Sequence, residues 1–380
     1  MSFFGGIMKK RFLMVLSIFL SLITVQAFTY NREHFNKLKN SSVEEWNRWR
    51  SQNPNISIDL SRARLRNGTD KSNINLERAN LSGFICAGCI LNNANLVRAD
   101  LRGANLLSAK LINANLSLAK LRGLKAANTN FRDATFDRAD LRGAILVKAD
   151  FTQATMPRTQ FDRRTKLYDT KFIRTDFQYS RFIKANLNKC QYLATNFNFA
   201  ILTLSHFRNS KMASIKMNHR TKMRGTRFSN INFENSVFIG TYFRNVKFYK
   251  VSFFKAIFIR ANLSKMKFNH NRNYNFEEAS FYKTNLVGTN FENNKTLKKV
   301  VFIGSDVRNA KFGYATLEYS NFQGAKNVDK GIRNKFNASR LKQVKFAAKY
   351  KNYLERNFRV NNRPPNGVWY CDDFVPSRFY

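Results

Sequence analysis

The sequence predicts an all-β solenoid built from four-sided coils, on three observations. An apolar residue recurs at every fifth position, a small residue stands two places before it, and near-copies of the quintet return every twenty residues. In residues 101–123, LRGANLLSAKLINANLSLAKLRG, the fifth-position residues are Leu101, Leu106, Leu111, Leu116 and Leu121. A step of five advances an α-helix by about 140° and scatters these leucines around it, while a single long strand would turn them to alternate faces. The chain must therefore bend between leucines.

Each part of the quintet has a role in that bend. Ala99, Ala104, Ala109, Ala114 and Ala119 stand two before the leucines, the same-face spacing of a short extended segment, so Ala and Leu point inward together. The residue between them, such as Asp100 or Asn105, faces out, and the following pair, such as Arg102 and Gly103, supplies a polar turn. ADLRG at 99–103, AKLRG at 119–123 and ADLRG at 139–143 set the longer period. Four quintets thus make one coil, and coils stack at about 4.8 Å with each burying its inner face against the next. Leu81, Leu96, Leu141 and Phe151 join the five leucines above in the predicted core.

ANLSG (79–83) and ADLRG (99–103 and 139–143) resemble the pentapeptide-repeat family, whose motif is A(D/N)LxG around a central Leu or Phe. The resemblance implies a right-handed quadrilateral β-helix. The repeat extends well past these examples, with alanines becoming scarcer and the central residue drifting from Leu to Phe. One phase runs from Leu76 to Phe161, a second from Leu167 to Met217, and a third from Met223 to Phe268. The one-residue slips between them, in FDRRTKL and MNHRTKM, carry Arg, Thr and Lys at the same places, as one kind of bulge used twice would. Weaker runs follow through Phe276–Phe291 and Phe302–Phe322. The predicted β-helix spans 57–324, about 13 coils and about 63 Å at the strand spacing.

The ends differ in kind. Residues 12–23, FLMVLSIFLSLI, are an apolar run preceded by Lys9, Lys10 and Arg11 and followed by TVQA. This reads as a secretory signal over residues 1–27, with Met8 as an alternative start. An uncleaved membrane anchor is the competing reading, although the run is short for a span. Residues 28–56 read as an N-terminal capping segment. Ser42 and Glu45 have capping-box spacing, and Trp46 and Trp49 share a helical face. Similar WNxWR segments precede the first coil in many members of the family that the repeats resemble. Residues 325–380 read as a basic C-terminal helix followed by an aromatic tail that Pro364 and Pro365 keep from continuing it. Helical caps at both ends would cover the open edges that end coils otherwise expose.

Charge is the informative composition. The chain has 66 Lys plus Arg against 24 Asp plus Glu, for a net charge of +42. Residues 177–276 hold 18 basic residues and one acidic residue, Glu234. Lys184, Lys189, Arg208, Lys211, Lys216, Arg224, Arg227, Arg244, Lys247, Lys250, Lys255 and Arg260 fall between inward positions and are expected to project as a polyanion-binding surface. In earlier coils Asp100, Lys120 and Asp140 should stack with alternating sign beside a ladder of Arg102, Arg122 and Arg142, which reads as structural support.

Catalytic and cofactor motifs are absent from the sequence. His34, His206, His219 and His270 are scattered without metal-ligand spacing, and no nucleophile elbow or phosphate-cradling glycine loop occurs. Cys86 and Cys89 form a CxxC, but the repeat phase puts both inward, so a core role is expected, with a local disulfide as the alternative. Cys190 also falls near an inward site.

These observations predict an exported, non-enzymatic scaffold, monomeric and without a cofactor. Its expected partner is an anionic envelope polymer or lipid surface, such as lipopolysaccharide or acidic phospholipid, or an acidic protein. Nucleic acid is the alternative for a cytosolic chain. The repeat places Phe inside, so no base-stacking platform is expected. Some members of the family mimic DNA and inhibit topoisomerases; that activity needs an acidic exterior, opposite to this one.

Overall fold

The computed structural model describes residues 30–269, 273–328 and 343–347, together with the backbone of strands at 358–360 and 368–374. The expected signal segment lies outside them. From Asp59 onward each quintet makes one short extended contact and one turn, and equivalent residues pair in parallel with the coil above. One side is unbroken: thirteen successive pairings carry it from Asn75 to Lys345. At about 4.8 Å per pairing that side is about 62 Å long. The all-β, four-sided solenoid is thus as predicted.

The turns explain how a chain of ordinary residues bends this often. In each, the amide of the next small residue returns to the central carbonyl, as Ala104 N–H does to Leu101 O at 3.1 Å. The second turn residue takes a positive φ, supplied by Gly103 at 65°, Asn113 at 58° and even Leu118 at 61°. Gly and Asn accept that conformation readily, and Leu118 adopts it at a cost that the coil-to-coil ladder offsets.

The interior is one continuous core, and every predicted core residue is buried in it. Apart from Phe84, the core from Leu81 to Ala126 is built without aromatic rings. From Phe131 onward the rings of successive coils lie over one another, and the column Phe238, Phe258, Phe281, Phe302, Phe322 and Phe346 keeps centroids 4.3–5.3 Å apart. Within a coil, rings on neighbouring sides meet edge to face, as Phe228 and Phe233 do at 5.1 Å. Both arrangements suit the aromatic quadrupole.

The scarcer alanines have a structural replacement. At most small sites occupied by Thr or Ser the residue is buried and its hydroxyl donates to the central carbonyl of the coil below, while Thr159 and Ser305 donate to Met156 O and Phe302 O of their own turns. Thr170 reaches Leu146 O at 2.9 Å, Thr175 reaches Phe151 O at 2.8 Å, and Thr226 reaches Leu202 O at 2.7 Å.

The two bulges match each other. Asp162 accepts from the amides of Arg164 and Thr165, and Asn218 accepts from that of Arg220. The Thr165 and Thr221 hydroxyls cross to Leu141 O and Phe197 O of the previous coil. Further insertions fall between Phe268 and Phe276 and between Phe291 and Leu297, which is itself buried in the core.

The N-terminal cap holds two helices where the sequence suggested one: α1 (Arg32–Asn40) and α2 (Val43–Gln52). The capping box of Ser42 and Glu45 forms as expected, and Trp46 is fully buried. Their side chains satisfy the open edge of the first coil. Trp46 Nε1 donates to Asn75 O at 2.8 Å, Asn47 bonds both Asn73 O and Asn75 N, and His34 Nδ1 accepts from Asp59 N. The lone His34 is thus an edge-satisfying group.

The C-terminal end corrects the sequence reading. Within the expected basic helix, Val344–Ala347 is a strand (β1) that extends the long side through Asn321 and Lys345. It pairs antiparallel with β3 (Val368–Phe374), which pairs antiparallel with β2 (Phe358–Val360). An end coil presents a free ladder edge, and extended chain can satisfy it directly, whereas a helix can do so only through side chains. The other residues of the expected helix and tail lie outside the described residues.

Candidate polyanion-binding surface

Two of the candidate cations stand within the extended positions of one side, where Arg227 pairs in register with Lys247. A second side carries Lys211 and a third Lys216. Others occupy corners: Lys250, Lys255 and Arg260 mark three successive corners of a single coil, each with a positive φ between 51° and 54°. All twelve candidates are exposed. The structure therefore places them all round the rod instead of on one face, a distribution that linear order alone conceals.

Few carboxylates offset them. Glu234 interacts with its neighbour Asn232, and among the described residues it forms no ion pair. Lys255 lies 3.6 Å from Glu278, which Lys299 also approaches at 3.2 Å. Lys189 donates to the Tyr168 hydroxyl at 2.8 Å, and that bond raises its pKa against the opposing charge of Arg208.

The earlier coils show the predicted alternation, with Asp100 pairing Lys120 and Lys120 pairing Asp140 in register. Asp100 grips Arg102 through both carboxylate oxygens, and Asp140 is shared by Arg122 at 2.6 Å and Arg142 at 2.7 Å. Burial pushes the Asp100 carboxyl up, but the Arg102 hydrogen bonds and the nearby cations outweigh it and leave it below its ordinary value.

With the coil geometry in view, the sequence comparison is decisive. The family model described as pentapeptide repeats matches eight copies over residues 72–106, 86–117, 114–153 and 219–254. The chain carries pentapeptide repeats. No curated protein sequence matches it. Among solved structures it is similar to a trypsin-treated M102R form of QnrB1, a plasmid-mediated fluoroquinolone resistance protein. That match has 15% identity over 48% of this chain and 91% of QnrB1, with a TM-score of 0.31. HetL of Nostoc sp. strain PCC 7120, involved in heterocyst differentiation regulation, is 16% identical over 75% of this chain and 97% of its own, with a TM-score of 0.18. Rfr23 from Cyanothece 51142 is 19% identical over 37% and 90%, with a TM-score of 0.21.

The pentapeptide-repeat coils also decide the cysteines. Cys86 and Cys89 are both buried, as the repeat phase requires, and they are joined as a disulfide, the alternative left open by the sequence. Cys190 is buried and unpaired, and its Sγ lies 2.8 Å from Leu167 O. Burial pushes its thiol up to about 12, which keeps it protonated at neutral pH. Among the described residues no cluster of three His, Cys, Asp or Glu side chains could hold a metal, and no helix is long and apolar enough to cross a membrane.

One expectation fails in detail. Phe199 lies on the exterior, at a turn position with φ of 63°, stacked on Tyr179 at 4.6 Å. Arg158 covers the other face of that pair at 5.3 Å and Arg220 lies 5.9 Å from Phe199. A ring at a corner can stack on the corner above it, a possibility that periodicity does not reveal. Both outer faces of this ladder carry cations, so it still offers no open face to a base.

Proposed function

We propose that this protein is an exported, non-enzymatic scaffold that binds polyanions of the cell envelope. The observation that carries the reading is the stretch 177–276, where 18 basic residues meet one acidic residue and every candidate cation is exposed. Solubility needs far less charge of one sign. The charged, apolar and small-residue order of residues 9–27 supports export, and an anionic glycan or lipid surface is the partner available there.

The test is binding of the full chain to polyphosphate and to anionic vesicles at graded salt. Affinity should fall steeply and linearly with log salt concentration. The combined substitutions Lys247→Glu, Lys250→Glu and Lys255→Glu should weaken binding at least tenfold and flatten that dependence. Binding insensitive to both salt and substitution would remove the proposal. Preference for duplex DNA over the envelope probes, in a chain recovered uncleaved from cytosol, would transfer the surface to nucleic acid.

A further inference from the structure

We infer that one corner of the solenoid is the polyanion track, and that its ligand is a linear acidic polysaccharide lying parallel to the rod axis. This inference rests on the polyanion reading above and narrows it from the whole surface to one edge.

The corner is the turn that follows the side of Asp100, Lys120 and Asp140. Arg122 and Arg142 stand there, and the first bulge sets Arg163 in the next place. Lys184 follows one coil later, and Arg224, Arg244 and Lys265 continue the corner beyond Leu204. Seven coil rises separate Arg122 from Lys265, about 34 Å at about 4.8 Å each. The other corners mix signs, with Asp133, Asp137, Asp169 and Glu278 among their turn residues.

Charge compensation ends part-way along this corner. Arg122 and Arg142 share Asp140. From Arg163 onward, none of Arg163, Lys184, Arg224, Arg244 or Lys265 has a carboxylate within ion-pair distance among the described residues. Asp162, the acid beside Arg163, already accepts the amides of Gly143, Arg164 and Thr165 and serves the bulge. The corner is also concave. A groove of about 740 Å³ lies between Arg122, Arg142, Arg163 and Lys184, and another of about 660 Å³ between Arg224, Lys247, Lys265 and Lys267. The bulge residues Asp162, Arg163 and Arg164 line the first groove.

A straight row of cations selects among polyanions by spacing and shape. A glycan with one carboxylate per sugar presents charges on the order of 5 Å apart along an extended chain, close to the coil rise. Phosphates along one strand of B-DNA advance about 3.4 Å each along the axis and circle the duplex once in about 34 Å, so a straight edge of that length meets them only over a short arc. A lipid surface would engage a broad side, whereas the cations of this corner follow one another along a line.

The test uses the full chain and oligogalacturonates of increasing length, with duplex DNA and anionic vesicles as competitors. One variant combines Arg163→Gln, Lys184→Gln and Arg244→Gln along the track. The other combines Arg132→Gln, Lys148→Gln and Arg174→Gln, exposed cations at other corners. Circular dichroism and melting check that both variants keep the fold. Wild-type affinity should rise with glycan length, and the track variant should lose at least tenfold and about two units of the log–log salt slope. The control variant should change less than threefold. Equal losses in both variants would replace the track with a diffuse positive sleeve, leaving the polyanion function standing. Tighter binding of DNA or vesicles, lost in the track variant, would overturn the polysaccharide class. Failure of wild type to bind any of the three would overturn the polyanion function itself.

Discussion

A hydroxyl in place of an alanine methyl changes what joins one coil to the next. Leu202 O already accepts Ser205 N–H at 3.0 Å within its own turn, and Thr226 supplies a second donor from the coil above at 2.7 Å. The carbonyl has two lone pairs, so Thr226 adds a bond without displacing one. Replacing it with Val keeps the volume and removes the bond, and since Leu202 O stays satisfied by Ser205 the cost should be about 1 kcal/mol. Chemical denaturation of Thr226→Val against wild type measures it. No loss of stability would mean that packing alone holds the small site.

At the scale of elements, the helices of the cap matter as donors and acceptors for an otherwise open strand edge. Asn47 is placed by α2 so that its carboxamide oxygen accepts from Asn75 N at 2.8 Å while its nitrogen donates to Asn73 O at 2.9 Å. Lys71 returns the favour to the helical end by donating to Ser41 O at 2.9 Å. Asn47→Ala frees both edge groups while leaving Trp46 in the core. The expected outcome is a loss of about 1–3 kcal/mol and a new concentration-dependent self-association, because unpaired strand edges recruit partners. Thermal melting and light scattering would detect the two effects, and a variant as stable and monodisperse as wild type would show that water satisfies this edge.

Across the whole molecule, charge and stacking oppose each other. The stack gains from a core that never breaks between Leu38 and Phe346, while a net charge of +42 repels along its length. Exposed pairs such as Arg102 with Asp100 contribute little individually. Added salt weakens those pairs but screens far more like-charge repulsion, within about 10 Å at 0.1 M. Melting temperature should therefore rise by a few degrees from low to moderate chloride concentration. A fall would mean that the ion pairs outweigh the repulsion.

The sequence by itself determined the coil. A five-residue apolar period and a twenty-residue recurrence admit one solution, and the positions of Leu101, Phe151 and even the two bulges followed, because side chains that repeat in step with the backbone leave no choice of face. The Thr and Ser of the later coils also carried a signal, since a polar residue recurring at an inward site must find an acceptor there. Other features depended on distance across coils, which linear order does not encode. The twelve candidate cations were expected to project from the stack, and the register distributed them over several sides and corners. The row from Arg122 to Lys265 emerged because stacking brings residues about twenty apart to one corner. Phe199 could turn outward because Tyr179 waits on the neighbouring corner, and Val344–Ala347 became a strand because the last coil left a ladder edge to complete. A repeat specifies its own backbone locally, but its surface is assembled from residues of many coils and is created only when they stack.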